Sequence, residues 1–207
     1  MFSFSILSFI LSTVCVMALT YVIVSKMKKS NCPVEEYFTA GRSLSWPIIG
    51  GSLLLTNIST EQLVGLNGDV FGDKALVGIA WEALAAFAMI ATALIFLPRY
   101  LASGFTTTPA FLEKRFDKTT RSIVSGLFLF GYVSVLLPVV LYTGSLVLKG
   151  MFSLDVSLYV IVLIIGLIGG GYAIIGGLKT VAVSDTINGV GLLIGGLAAV
   201  SYTHLRA

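Results

Sequence analysis

The sequence predicts an all-α polytopic membrane protein, and three observations carry that expectation. Of its 207 residues 57% are hydrophobic and only 11% charged, a balance that excludes an ordinary soluble domain. Apolar stretches long enough to cross a hydrocarbon layer of about 30 Å, at about 1.5 Å per residue, recur six times. The basic residues gather in alternate connections between those stretches. A net charge of +3 dispersed over short loops builds no nucleic-acid-binding face.

Residues 2–24 carry no charge and are followed at once by Lys26, Lys28 and Lys29. A cleaved signal peptide would place its charge in front, with a shorter apolar region and a small-residue cleavage site, so residues 1–25 read as a retained first helix. Residues 26–46 form a loop with Pro33, Gly41 and Arg42. Pro47 then opens a second apolar stretch running to about residue 71, proline being suited to a first helical turn because it has no N–H to leave unpaired. Further spans follow at about 76–97, 122–148, 156–175 and 181–200. Pro138 is expected to remove one hydrogen bond from the fourth span and kink it. Gly166, Gly169, Gly170 and Gly171 line up in the fifth span, with Gly166 and Gly170 at the small-residue spacing that lets helix backbones approach closely in lipid. Gly176 and Gly177 are expected to end that span and allow a tight turn into the sixth.

Six crossings with the N-terminus outside put Lys26, Lys28, Lys29, Arg42, Arg99, Lys114, Arg115, Lys118, Arg121 and Lys179 inside, ten of the thirteen basic residues. Lys74, Lys149 and Arg206 fall outside. The loops 26–46 and 99–121 are therefore expected in the cytoplasm and the chain in the plasma (inner) membrane. Cys15 lies in a span and Cys32 in a cytoplasmic loop, which suggests no disulfide. His204 has no second His or Cys beside it and receives no role.

The second span holds the chain's most unusual stretch, Thr56-Asn57-Ile58-Ser59-Thr60-Glu61-Gln62. A charged group at a helix centre costs about 2.5–3.5 kcal/mol to insert. Two readings are open: the polar side chains only hydrogen-bond between helices, or the helix is interrupted at about 56–61 and its freed backbone forms a solute or ion site. Glu82 in the third span and Asp185 near the start of the sixth are the other embedded acids. Asp185 either adds negative charge to a cation path or caps its helix. There is no nucleophile–base–orienter set, phosphate-cradling loop or metal-ligand cluster, so no enzyme activity and no cofactor are expected. Amides, hydroxyls and carboxylates at bilayer depth suit a hydroxylated solute: Gln62 and Glu82 together donate to and accept from a polyol, and carbonyls at a helix break suit Na⁺.

Ala40-Gly41-Arg42, the run from Gly51 to Gly65, Pro109 to Phe116 and Tyr172 to Leu178 together resemble, in order and spacing, the sodium:solute symporter family, which contains the sodium/glucose cotransporters. The resemblance covers about residues 35–200. It implies a LeuT-type fold, with residues 1–25 as an extra helix and 47–200 as the first of two five-helix inverted repeats. It implies further that the backbone carbonyls of Leu55 and Ile58 contribute to a sodium site, that Asn57, Gln62 and Glu82 take substrate-side positions, and that Asp185 is tied to sodium coupling or release. Ala85 stands where sugar transporters of this kind often carry a hydroxyl, which leaves the particular hexose open. The second repeat is missing from the chain, and residues 201–207 depart from the family pattern, as at the end of a truncated gene model. The expectation is one part of a sodium-coupled symporter for a sugar or polyol, working by alternating access with Na⁺, solute, lipid bilayer and the missing repeat as partners. The alternatives are a non-transporting membrane module, such as a sensor or assembly subunit, and a symporter for a non-sugar solute.

Overall fold

The structure, a computed structural model, describes residues 2–27, 33–72, 75–105 and 107–206. Lys28, Lys29, Cys32, Asp73, Lys74, Thr106 and Ala207 lie outside the described residues. Among those described, every regular element is helical: α1 Phe2–Lys26, α2 Pro33–Thr39, α3 Trp46–Asn57, α4 Asn67–Phe71, α5 Ala75–Ala91, α6 Leu97–Ala102, α7 Thr108–Arg115, α8 Lys118–Gly131, α9 Leu137–Phe152 and α10 Leu158–Arg206. Among the described residues, four continuous helical stretches are long and apolar enough to cross a membrane: Ser5–Lys26, Ala80–Ala102, Lys118–Phe152 and Leu158–Leu205.

The expected six crossings thus appear as four uninterrupted stretches, for two physical reasons. The second expected span is divided: α3 has 12 residues, α4 has 5, and a π-helical turn at Glu61–Leu66 precedes α4. The fifth and sixth are run together in α10, whose 49 residues would extend roughly 74 Å if straight. Gly177 interrupts it, with φ 62° and ψ −170° inside otherwise helical backbone.

Pro138 acts as its ring demands. A proline cannot donate to the carbonyl four residues back and clashes with it, so the preceding turn must widen. A π-helical turn at Tyr132–Leu136 supplies the width, with Leu137 N–H donating to Tyr132 O, five residues earlier. Pro98, at the end of the third expected span, produces the same device: Thr92–Phe96 is π-helical and Leu97 N–H donates to Thr92 O. Both helices continue past their prolines because the displaced bond is replaced and not lost.

Few large side chains are buried, and Leu84 and Phe87 are 68% and 71% exposed. In water such surfaces would be costly, whereas in lipid they meet a solvent as apolar as themselves. Two compact units divide the chain, residues 1–59 with 148–207 and residues 60–147. In the first, α10 is the central element, and α1, α2 and α3 all lie against it. A Cβ at Gly169, Gly170 or Gly171 would stand in open space within this chain. The close helix approach is at Gly51 and Gly189, where a Cβ would stand 2.8 Å from the Thr186 side chain and 3.5 Å from Gly51 O. Small-residue spacing permits an approach, but only an opposing helix makes one.

Candidate functional site

The site lies where α3 meets the second half of α10 and where α3 ends. Ile48, Gly51, Ser52 and Leu55 share one face of α3 by their three- and four-residue spacing, and Ala182, Asp185, Thr186 and Gly189 share one face of α10. Gly51 lets the Thr186 side chain reach the α3 backbone, and Thr186 Oγ1 donates to Ile48 O at 3.0 Å. One turn along, Ser52 Oγ donates to Asp185 Oδ2 at 3.0 Å, so the half-buried carboxylate is held by a hydroxyl from the neighbouring helix. Asn188 Nδ2 is 3.4 Å from Ser184 Oγ, extending a polar strip along α10. Asp185 therefore sits against α3 inside the helical run, not at a helix N-terminus, because the backbone break lies at Gly177.

α3 ends at Asn57 because Ile58 turns extended, with φ −98° and ψ 99°. Its last turn is closed by Ile58 N–H donating to Leu54 O at 3.2 Å. Thr56 Oγ1 donates to Ser52 O and Asn57 Nδ2 to Leu53 O, each at 2.8 Å, so both side chains fold back on their own helix. Such back-bonding competes with the backbone ladder and loosens a helix end. Leu55 lies in this last turn, where helical carbonyls lose intrahelical partners, and Ile58 is the extended residue itself. Ser59 separates the two helical pieces, and Thr60 starts the second.

Within the second unit Thr60 and Thr143 bring their hydroxyl oxygens to 2.9 Å, facing Gly144, whose Cβ position is 3.9 Å from Thr60. Thr143 also donates to Val139 O at 2.9 Å. Sequence reasoning passed over Thr143 and Gly144, although a Thr-Gly-Ser triplet inside an apolar helix marks a place where another backbone comes near. Gln62 is half-buried in the π-helical turn, and Glu82 is exposed on α5. The Glu61 side chain lies outside what is described. Leu55, Asn57, Ile58 and Asp185 belong to the first unit, and Thr60, Gln62 and Glu82 to the second.

A second interrupted point supports α10. Tyr37 of α2 donates its hydroxyl to Ile174 O at 2.9 Å, and Thr180 Oγ1 donates to Gly176 O at 2.8 Å, so carbonyls beside the break at Gly177 are satisfied. Glu36 pairs with Lys179, a residue only 4% exposed. A Cβ at Gly177 would lie 2.9 Å from Tyr37 O. The chain leaves α2 through Ala40, Gly41 and Arg42, all left-handed with φ between 52° and 58°. Left-handed backbone costs roughly 1–2 kcal/mol for each non-glycine residue. Ala40 is fully buried, and its carbonyl accepts from both Ser43 N and Ser43 Oγ, contacts that hold the turn.

The profile of the Sodium:solute symporter family matches residues 37–205. Among curated proteins the chain is 47% identical to an uncharacterized symporter, YidK, of Escherichia coli (strain K12), over 94% of this chain and 35% of that one. It is 36% identical to the sodium/glucose cotransporter of Vibrio parahaemolyticus, over 84% of this chain and 32% of that protein. Against the sodium/myo-inositol cotransporter of Mus musculus the identity is 34%, over 89% and 26%. The chain spans about a third of the length of these relatives. With a matched segment that includes α3, the break at Ile58 and all but the last residue of α10, the chain belongs to the sodium:solute symporter family.

Proposed function

We propose that the chain is one part of a sodium-coupled symporter for a sugar or related polyol, working by alternating access with a LeuT-type first repeat at residues 47–200. The observation that carries this reading is the discontinuity at Ile58–Ser59 within an apolar stretch, in a chain whose relatives include proteins named sodium/glucose and sodium/myo-inositol cotransporters. Unwound backbone inside a membrane is tolerated where it lines a cavity or coordinates an ion. The carbonyls of Leu55 and Ile58 are assigned to Na⁺. Asn57, Gln62 and Glu82 are assigned to the solute, because a polyol needs donors and acceptors together and a carboxylate with two amides supplies both. Asp185, held by Ser52, is assigned to the path by which Na⁺ is coupled or released.

In this reading the chain crosses the plasma (inner) membrane six times, with its N-terminus outside and loops 26–46 and 99–121 in the cytoplasm. One cation moving down 100 mV supplies about 2.3 kcal/mol, and a concentration gradient adds to it, enough to move one solute uphill. The test is uptake of labelled glucose and myo-inositol into proteoliposomes containing the full-length protein, with and without an inward sodium gradient. Sodium-dependent uptake of either supports the reading, and uptake indifferent to sodium would sink it. The 207 residues alone are expected to transport neither solute.

A further inference from the structure

The connection between α6 and α8 carries a feature outside the residues assigned above to solute and sodium. Phe105, Phe111, Lys114 and Arg115 line an open hollow on the surface of the second unit. The Phe105 and Phe111 rings meet edge to face at 5.9 Å, and Tyr100 backs Phe111 at 6.3 Å. Lys114 Nζ stands 5.3 Å from the Phe105 ring centroid. The two acids of this connection are engaged elsewhere: Glu113 pairs with Arg121, and Asp117 accepts from Thr120 N at 2.7 Å. Lys114 and Arg115 are exposed, with neither acid facing them as an ion-pair partner.

The hollow's position gives these charges a neighbour. One membrane-length stretch ends at Ala102 and the next begins at Lys118, so crossings by both would set the intervening residues at a bilayer surface. Two uncompensated cations over aromatic rings at that depth complement a negatively charged headgroup, with the rings set against the glycerol and first methylenes below it. We propose that the hollow seats the headgroup of an anionic phospholipid, Lys114 and Arg115 meeting its phosphate and Phe105 and Phe111 its apolar base. This holds whichever solute the protein carries.

The test is native mass spectrometry of the full chain released from detergent micelles containing phosphatidylglycerol or phosphatidylcholine. The wild type is expected to retain phosphatidylglycerol in preference, with affinity falling on the order of 10- to 30-fold in K114Q/R115Q and falling further as salt is raised. Both residues are exposed, so the double variant is expected to keep the wild-type helical content, checked by circular dichroism. K26Q/K149Q removes two other cations at the ends of spans and is expected to bind as the wild type does. Equal retention of the two lipids, an unaltered K114Q/R115Q, or an equal loss in K26Q/K149Q would each overturn the proposal.

Discussion

The break at Gly177 and the break at Ile58–Ser59 interrupt helices of similar apolar character, yet their surroundings are arranged in opposite ways. At Gly177 another element fills the gap: Tyr37 takes the Ile174 carbonyl, Glu36 meets buried Lys179, and the glycine leaves no room for a Cβ beside Tyr37 O. At Ile58 no glycine is present, the backbone is extended, and Thr56 and Asn57 turn to carbonyls of their own helix. A helix end clamped by a neighbour is fixed by packing. Where Thr56 and Asn57 bond carbonyls of their own last turn, a ligand can recruit those groups at small cost, since a local hydrogen bond is worth about 1 kcal/mol net.

The contrast is broken most severely at Gly177. Gly177→Val forces a β-branched residue to φ 62° against Tyr37 and is expected to lower stability by at least about 3 kcal/mol, read as a lost or strongly shifted unfolding transition in detergent. Glu36→Gln removes the Glu36 carboxylate from buried Lys179 and is expected to cost about 1–3 kcal/mol, with much of it restored in the double variant E36Q/K179M. An additive double variant would show that the pair contributes nothing to the clamp. Ser52→Ala, which removes the hydroxyl from Asp185, is expected to cost about 1–2 kcal/mol in the same measurement.

Asn57→Ala sharpens the comparison from the other side. Its amide bonds only Leu53 O, so stability is expected to change by less than about 1 kcal/mol, while sodium-driven uptake by the full-length protein falls at least tenfold. A large stability loss with intact uptake would reverse the roles assigned to the two breaks. The smallest effect is at Asp117, the exposed N-cap of α8, whose carboxyl is held below its ordinary value of 3.8 by the Thr120 hydroxyl and backbone N–H. A depressed carboxyl stabilises the fold above its unfolded value and loses that contribution as pH falls through the folded one. Asp117→Asn should therefore flatten the acid limb of the thermal stability profile and lower stability slightly near neutrality, where the charged carboxyl's contribution is present in the wild type.

Helical class, membrane placement and the location of the polar stretch were legible because each depends on local composition. Apolar length, proline position and a run of amides and hydroxyls act through the nearest turn or through lipid, and both are written in consecutive residues. The widened turn before Pro138 follows from the ring alone. The same reasoning applies to Pro98, which sequence reasoning did not consider. The small helix α2 was missed because seven residues with two glutamates have no period strong enough to outweigh a loop reading; α10 is what it docks on.

By itself, then, the sequence determined that the chain is helical and membrane-embedded, that it turns polar at Thr56–Gln62, and that it resembles sodium:solute symporters. Only the tertiary structure decided which glycines bring helices together. Gly51 and Gly189 are the ones that bring α3 against α10. Only it joined Glu36 to Lys179 and Ser52 to Asp185, pairs separated by 143 and 133 positions. The physical reason is that lipid contact and helix propensity are properties of neighbouring residues, whereas a hydrogen bond between helices exists only once both backbones are in place.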